Sequence, residues 1–224
     1  MLVTIGDSLK RTPGELASLA SQARNGGLQC GAIVEREGDR RFWDVDPSQS
    51  ACLPRLVEFA ERHYIHATGR QSRASVVMIN HIQAARTPAG SGGGWHRDSL
   101  HDQYKAFAYL TDVQSESQGA FCFLPGSNGV LVRMGSALHR AVTGGNRYTD
   151  GAIERLLAAG VRRQSVLLPA GVPFFLNTSA IHRGLPIREG ERIAATVYLG
   201  EVGREEYLST LLEAEPAAKS EMRI

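Results

Sequence analysis

The chain has 224 residues, of which 42% are hydrophobic and 21% are charged, and its formal net charge at pH 7 is +2. These values are typical of a soluble globular protein large enough to bury a full core, and they predict a single domain over residues 1–224. The near-balanced charge gives no reason to expect nucleic acid or a membrane surface as a partner.

The N-terminal third of the chain predicts a mixture of helix and strand. Residues 12–25 combine an early Pro, a Glu in the first turn and a final Asn followed by Gly-Gly, which are the start and stop signals of a helix. Residues 28–36 have the composition of a strand. Residues 54–69 place apolar side chains at helical spacing and end on a glycine, so they predict a second helix.

From residue 73 onward the pattern changes to short β-runs separated by Gly, Pro and Asn turns. A Gly-rich turn is predicted over 87–99, a short helix over 151–159, a closing helix over 204–215 and a frayed tail after Pro216. This pattern favours a β-sandwich or barrel with helices from both ends of the chain covering one face. The predicted strands cover 75–83, 104–113, 119–127, 164–171, 172–177 and 192–200.

The Gly-rich turn ends on the segment GGGWHRDS, which contains His96 and Asp98. In an extended backbone, residues i and i+2 point to the same face, so the imidazole and the carboxylate can reach one point in space. A neutral nitrogen ligand and an anionic oxygen ligand suit a divalent transition metal. One further imidazole would complete a two-His, one-carboxylate face that leaves three coordination positions open for substrate and O₂.

His182 is the best candidate for the third ligand. It lies in the segment FFLNTSAIHRG, just beyond an apolar strand and ahead of a glycine. The other histidines lie on a predicted helix, in a predicted strand or in loop-like stretches, where structural or solvated roles are expected. These five are His63, His66, His81, His101 and His139.

The order of several motifs resembles that of the phytanoyl-CoA dioxygenase family. WHRDS is followed by QYKAFAYLTDV, then by GAFCFLPGSN, and then by HRG with an Arg on the next strand, so that the similarity covers roughly residues 75–200. Members of that family are Fe(II)- and 2-oxoglutarate-dependent oxygenases with a double-stranded β-helix core, which is a cupin-like jelly roll. The resemblance therefore implies a mainly β fold with flanking helices, and it implies Fe(II), 2-oxoglutarate and O₂ as cofactor and co-substrates.

The resemblance also implies residues that bind 2-oxoglutarate. The family places a basic residue about ten positions after the second metal-binding His, and Arg192 lies at that position. Its guanidinium can bind a carboxylate through two parallel hydrogen bonds. Many related oxygenases carry a Ser two residues later, where this chain has Ala194, and Thr196 is the candidate replacement. Asn80 and Gln83, on the strand before the metal-binding loop, are candidates for holding the metal-proximal carboxylate.

The expected substrate is a small molecule, and the basic residues of the stretch 128–150 allow it to be an anion. Lys105 and Gln103, on one face of a predicted strand, are candidates for contacting it. Arg188 is a further candidate, although its segment PIREGE is typical of an exposed turn. The expected reaction is hydroxylation of an unactivated C–H bond, with release of succinate and CO₂. Desaturation, epoxidation and ring formation remain open as outcomes.

Two other functions remain open at this point. A cupin-like isomerase or lyase would use the metal as a Lewis acid and would not need Arg192. A catalytically inactive jelly-roll binding protein would retain the same residues without turnover. Halogenases of this kind replace the metal-binding carboxylate with a small residue, and Asp98 argues against that activity.

Other features of the sequence favour a cytoplasmic protein. The first residues, MLVTIGDSLKRTPGE, contain no apolar run long enough for a signal peptide. Nowhere do about 18 apolar residues run together, as a membrane span would require. Cys30, Cys52 and Cys122 are odd in number and far apart, so neither a disulfide framework nor a structural zinc site is expected.

Overall fold

The computed structural model describes residues 3–10, 14–36, 38–84, 94–143, 145–214 and 219–222. A short 3-10 helix covers Pro47–Gln49. In chain order, the other elements of this part of the chain are β1 (Thr4–Ile5), α1 (Glu15–Asn25), β2 (Cys30–Arg36), β3 (Asp39–Val45), α2 (Cys52–Thr68), β4 (Ala74–Gln83), β5 (Trp95–His96), β6 (Tyr104–Tyr109), β7 (Phe121–Phe123), α3 (Val130–Thr143), β8 (Arg147–Tyr148), α4 (Asp150–Ala158), β9 (Gln164–Val166), β10 (Pro173–Asn177), β11 (His182–Gly184), β12 (Glu191–Gly200), α5 (Arg204–Glu213) and β13 (Lys219–Met222).

The strands form two antiparallel sheets. Within the described residues the larger sheet has eight strands in the order β1-β10-β6-β12-β4-β3-β2-β13, and the smaller sheet has five in the order β8-β5-β11-β7-β9. Strands that pair within a sheet are often far apart in the sequence. For example, β12 lies between β4 and β6 and pairs with both. The predicted mainly β architecture with helices towards both ends of the chain is confirmed.

The two sheets pack face to face through a layer of aromatic side chains. Tyr109 and Phe174 of the larger sheet belong to one buried cluster with Phe121 and Phe123 of the smaller sheet. Across the sheets, the ring centroids of Phe107 in β6 and Phe121 in β7 lie 5.1 Å apart. Such contacts add to the free energy that burial of the rings already contributes. They fix the spacing between the sheets, which in turn sets the width of any cavity between them.

Helices α1 and α2 cover the outer face of the larger sheet. Their buried residues recur at helical spacing, for example Leu16, Leu19 and Ala23 in α1, and they join one cluster with the outward-facing residues of the central strands. Each helix ends at a glycine with φ of 71°, Gly26 for α1 and Gly69 for α2. A left-handed residue of this kind favours glycine, and the sequence predicted both stops.

Helix α5 packs on the inner face of the larger sheet, so the prediction that helices from both ends of the chain cover one face is wrong. Its residues Tyr207, Leu208 and Leu211 lie against a cluster that includes Trp43 and Met78. The end of the sandwich formed by β3 and β4 is therefore closed by a helix. None of the helices in the described residues is long and apolar enough to cross a lipid bilayer.

Several segments of the structure differ from the prediction made from the sequence. Strand β3 and helix α3 were not predicted, and the chain at 219–222 pairs with β2 as β13 where a frayed tail was expected. In β3, Phe42 faces the helices while Arg41 and Trp43 face the cavity. Because charged residues in DRRFWDV also lie on the buried cavity face, the sequence does not show the apolar–polar alternation that would have predicted this strand. The predicted Gly-rich turn lies mostly at 85–93, outside the described residues.

Candidate active site

His96, Asp98 and His182 meet at two neighbouring strands of the smaller sheet and the bend that follows the first of them. His96 on β5 pairs directly with His182 on β11, and their ring centroids are 4.4 Å apart. Asp98 follows two residues after His96, and its carboxylate oxygens lie 3.6 Å from Nε2 of each histidine. One ligand atom from each residue lies within 4.8 Å of the others. The structure thus brings together the three residues that the sequence predicted as a metal-binding group.

Backbone carbonyl groups fix the tautomer of both imidazoles. Nδ1 of His96 lies 2.9 Å from the carbonyl oxygen of Gly94, and Nδ1 of His182 lies 2.8 Å from that of Ala180. A carbonyl oxygen can only accept, so Nδ1 carries the proton in each ring. Nε2 then presents its lone pair towards Asp98, which is the arrangement that a metal ligand requires.

The charge state of the three side chains also suits a metal ion. Burial lowers the pKa of His96 to about 3, and burial likewise lowers the pKa of His182. Burial alone would raise the pKa of Asp98, but Lys105 and the two histidines together hold it below its usual range. At neutral pH the site therefore offers two neutral imidazoles and one carboxylate, the donor set of non-haem Fe(II) sites.

Lys105 is buried and contacts the metal-binding carboxylate directly. Its Nζ lies 2.8 Å from Oδ2 of Asp98 and 4.0 Å from the centre of the Tyr198 ring. The Asp98 carboxylate raises the pKa of Lys105 against the effect of burial. The sequence left open whether this lysine faces the cavity or solvent, and the structure places it in the cavity.

A cavity of about 310 Å³ opens between the two sheets beside the triad. Its wall on the larger sheet consists of alternate residues of β3, β4, β6 and β12, because successive side chains of a strand point to opposite faces. Five residues that the sequence predicted to contact 2-oxoglutarate or substrate line this cavity together with the triad. They are Asn80, Gln103, Lys105, Arg192 and Thr196.

Arg192 lies deep in the cavity wall and is only 6% exposed. It donates from Nη1 to the carbonyl oxygen of Gly119. Ala194 and Thr196 follow it on the same face of β12, and Asn80 stands opposite Ala194 on β4. Burial lowers the pKa of Arg192, but a guanidinium remains protonated in any such setting. The cavity therefore holds a fixed positive charge on a central strand.

Two predicted contact residues, Gln83 and Arg188, are not among the residues that line this cavity. Gln83 is exposed at the end of β4. It follows Asn80 by three positions, an odd separation that places the two side chains on opposite faces of the strand. Arg188 is exposed in the turn before β12, where its backbone N–H donates to the carbonyl oxygen of Ser117.

The cavity also has lining residues that the sequence did not single out. Arg41 and Trp43 come from β3, which was not predicted. Arg147 comes from β8, within the stretch 128–150 whose basic residues were considered for an anionic substrate. Tyr198 lies on β12, beyond the residues considered for 2-oxoglutarate. The alternation of Arg41 and Trp43 around the buried Phe42 is the one signal that could have identified this part of the wall.

Arg97 lies between the two ligands His96 and Asp98 and is 1% exposed. Its Nε donates to Ser136 Oγ in α3 and to the Tyr148 hydroxyl in β8, each at 3.0 Å. Its terminal nitrogens donate to the carbonyl oxygens of Ser127 and Ser179. This single side chain thereby ties the metal-binding segment to α3, to β8 and to the turn before His182.

Comparison with known proteins identifies the fold. No protein-family model matches the sequence, and no curated protein matches it. Among solved structures, the chain is similar to SnoN, a non-haem α-ketoglutarate-dependent epimerase from nogalamycin biosynthesis. The TM-score is 0.60 at 17% identity, and the match covers 96% of this chain and 87% of that one.

Two further structures show the same similarity. HygX from Streptomyces hygroscopicus, solved with nickel and 2-oxoglutarate, has a TM-score of 0.51 at 18% identity, and the match covers 88% of this chain and 82% of that one. A prolyl-4-hydroxylase from Pseudomonas putida has a TM-score of 0.50 at 16% identity, and the match covers 90% and 93% of the two chains. At these identities the similarity establishes the fold, and the predicted jelly roll is confirmed.

Proposed function

We propose that this chain is an Fe(II)- and 2-oxoglutarate-dependent oxygenase. The observation that carries the proposal is the buried His96, Asp98 and His182 group, whose ligand atoms lie within 4.8 Å of one another beside a cavity that contains Arg192. The similarity in fold to SnoN and HygX, whose names or bound ligands include α-ketoglutarate (2-oxoglutarate), supports it. The motif order further supports a place near the phytanoyl-CoA dioxygenases.

The residues present fit an Fe(II) ion. His96 and His182 would each provide Nε2 and Asp98 a carboxylate oxygen, and a ligand set of this type leaves positions open for other ligands. Iron, when bound, supplies the activation of O₂ for oxidising the substrate. The Lys105 ammonium lies 2.8 Å from the second oxygen of Asp98, so an ion pair orients the carboxylate.

The residues around Arg192 fit 2-oxoglutarate. We assign the guanidinium of Arg192 to the distal carboxylate, because this cation is buried on a central strand of the cavity wall. Thr196 lies on the same face and is assigned to the same carboxylate. Asn80 is assigned to the carboxylate nearer the metal. A buried arginine in this place favours the oxygenase over a Lewis-acid isomerase or lyase, which has no need of it.

The proposed reaction is hydroxylation of an unactivated C–H bond of a small molecule, with release of succinate and CO₂. The protein's part is to orient both substrates and to exclude water from the cavity. The outcome is not set by the fold, since an epimerase and a prolyl-4-hydroxylase both share it. We also place the protein in the cytoplasm, because Cys30, Cys52 and Cys122 are all free thiols.

Anaerobic titration tests this proposal. Fe(II) followed by 2-oxoglutarate should produce a visible metal-to-ligand absorption band, and admission of O₂ should yield succinate. Asp98→Ala should abolish both, because one of three ligands and its charge are lost. His66→Ala, on the exposed face of α2, is the matched control and should behave as the wild type. A wild-type protein without the band, or an Asp98→Ala variant that keeps it, would contradict the proposed function.

A further inference from the structure

We propose that the prime substrate is a small amphipathic anion, held through a carboxylate or phosphate group by arginines of the cavity wall and resting its apolar body on Trp43. The inference depends on the function proposed above and adds the chemical class of the substrate. It is carried by three observations, namely the charge of the cavity, the placement of its arginines and the environment of the Trp43 indole.

Cationic side chains outnumber carboxylates among the described residues that line the cavity. Asp98 is the one carboxylate among them, against five cationic side chains. Lys105 pairs with Asp98, and Arg192 is assigned to 2-oxoglutarate, whose two charges match those of Fe(II). Arg41, although paired with Asp39, lines the space for the substrate together with Arg147, and a wall with several guanidinium groups attracts anions. The five cationic residues are Arg36, Arg41, Lys105, Arg147 and Arg192.

The remaining arginines come from both sheets. Arg41 lies on β3 of the larger sheet, and its Nε and Nη2 donate to Oδ2 of Asp39 at 3.0 and 2.7 Å, which fixes the plane of the guanidinium. Arg147 lies on β8 of the smaller sheet, directly opposite His96 in the strand register. An anionic group in the cavity therefore has guanidinium groups on two walls, one of them next to a metal ligand. Guanidinium forks match carboxylate and phosphate oxygens in geometry.

Trp43 provides an apolar surface with one hydrogen-bond donor. The residue is 2% exposed, lines the cavity and packs its ring 5.0 Å from that of Tyr198. Its Nε1 is buried and has no hydrogen-bond acceptor among the described residues. A buried indole N–H normally has such a partner, and an oxygen of the substrate would provide it. Leu211 of α5 lines the same part of the wall, which suits a hydrocarbon or ring body.

The size of the cavity limits the substrate. About 310 Å³ is near the lower end of the range for small-molecule sites, and 2-oxoglutarate takes part of it. The substrate is therefore a small metabolite, or a larger one whose reacting end alone enters the cavity.

Three probes with the same ring test the charge requirement. Naphthalene-1-acetate and 1-naphthyl phosphate carry a carboxylate and a phosphate, and naphthalene-1-ethanol is neutral. Each is titrated by calorimetry, without O₂, into protein loaded with Fe(II) and excess 2-oxoglutarate, so that Arg192 is already occupied. We expect at least one anionic probe to bind about tenfold or more tightly than the neutral one. A phosphate-only or carboxylate-only preference identifies the anionic group and supports the inference in either case.

Variants then locate the site. Arg147→Ala and Arg41→Ala should each weaken the anionic probe about tenfold and leave the neutral probe unchanged, whereas Arg188→Ala, in the exposed turn, should change neither. Trp43→Phe should weaken the anionic probe several-fold while the ring surface is retained. An effect of either arginine alone still supports the inference and identifies the residue involved.

Two results overturn the inference. One is equal binding of all three probes to the wild type, and the other is wild-type binding of the anionic probe by both arginine variants. Neither affects the proposed function, because the absorption band of bound 2-oxoglutarate is read separately in the same samples. Loss of that band would count against the function, whatever the probes do.

Discussion

Arg192 and Arg188 are four residues apart and occupy opposite environments. Arg192 is buried in the cavity wall, while Arg188 is exposed in a turn. If Arg192 binds the distal carboxylate of 2-oxoglutarate, Arg192→Ala leaves that carboxylate desolvated and unpaired, at a cost of about 3–5 kcal/mol. The apparent dissociation constant for 2-oxoglutarate should then rise roughly a hundred- to several-thousand-fold. Arg192→Lys should recover part of the loss, because it restores the charge without the planar fork.

The measurement is anaerobic titration of 2-oxoglutarate into the Fe(II) protein. Arg188→Ala serves as the control and should change the constant by less than about threefold, in line with an ordinary surface substitution. Iron binding should be retained in all three variants, since neither arginine is a ligand. Strong weakening by Arg188→Ala together with a silent Arg192→Ala would show that the carboxylate lies elsewhere.

At the same scale, the sequence could predict the triad but not the orientation of every cavity residue. His96 and Asp98 are separated by two positions, and that spacing alone placed them on one face. In β6 the spacing was less informative, because YKAFAY carries apolar residues on both faces. Tyr104 and Ala106 face the helices there, while Lys105 and Phe107 face the cavity. A pattern with no polar face does not show which side is inward, so the role of Lys105 could be read only from the structure.

The hydrogen bonds of Arg97 connect several elements of the fold. Arg97→Met removes donors from two hydroxyl and two carbonyl oxygens in four different segments and keeps most of the side-chain volume. Buried acceptors without donors cost about 1–3 kcal/mol each, so we expect the free energy of unfolding to fall by at least about 3 kcal/mol. The affinity for Ni²⁺ should fall as well, because the segment of His96 and the turn before His182 lose their connection.

Urea denaturation of metal-free protein and Ni²⁺ titration measure the two effects. Arg163→Met is the matched control, since Arg163 makes an exposed ion pair with Glu116 at 2.8 Å. Exposed pairs of this kind contribute about 0–1 kcal/mol, and metal affinity should not change. If Arg97→Met unfolds as the wild type does, the four hydrogen bonds are not what joins these segments.

At the scale of elements, the predictions succeeded where one face of a segment is apolar and a clear stop follows. Helix α2 is an example, with a buried stripe and a terminal Gly69. They failed for β3, whose DRRFWDV run has charged residues on the face that lines the cavity. They also failed for α3, where Val130, Leu131 and Met134 remain exposed, at 74%, 83% and 65%. In both cases the cause is that the hydrophobic pattern does not mark a single buried face.

For the whole molecule, the buried histidines make stability depend on pH. In the metal-free protein the pKa of His96 is lowered to about 3 by burial, and that of His182 is also lowered, whereas both lie near 6.5 in the unfolded chain. As the pH falls below about 6.5, the unfolded state takes up protons that the native state does not, so the free energy of unfolding decreases. Each histidine contributes up to about 1.4 kcal/mol per pH unit in this window.

Urea denaturation in the presence of a chelator, at pH 6.5 and pH 5.5, measures this dependence. His96→Gln should reduce the dependence of the free energy of unfolding on pH by up to about 1.4 kcal/mol per pH unit, because glutamine does not titrate. Leu176→Ala, a neutral change at a buried position, should lower stability without altering the slope. An unchanged slope in His96→Gln would mean that His96 has the same pKa in the native state as in the unfolded chain.

The fold could be predicted from the sequence and the substrate could not, for a reason that lies in the architecture. The order of short strands and turns, together with the motifs between residues 75 and 200, determines a jelly roll. The substrate end of the cavity, by contrast, is assembled from β3, β8 and α5, which are far apart in the chain. Arg41, Arg147 and Leu211 become neighbours of one space only when the two sheets close. No local sequence pattern predicts that these residues line the same cavity.

The hydrogen bonds from the two imidazoles to main-chain carbonyl groups have a consequence for how this protein can change over evolution. Gly94 and Ala180 fix the rings of His96 and His182 through backbone atoms, so no neighbouring side chain takes part in setting their tautomers. Replacements at Arg41, Trp43 or Arg147 can therefore alter which molecule is accepted while the imidazole ligands stay as they are. Substitutions in the cavity wall therefore leave the orientation of the two imidazole ligands unchanged. Substrate specificity can then change by single substitutions.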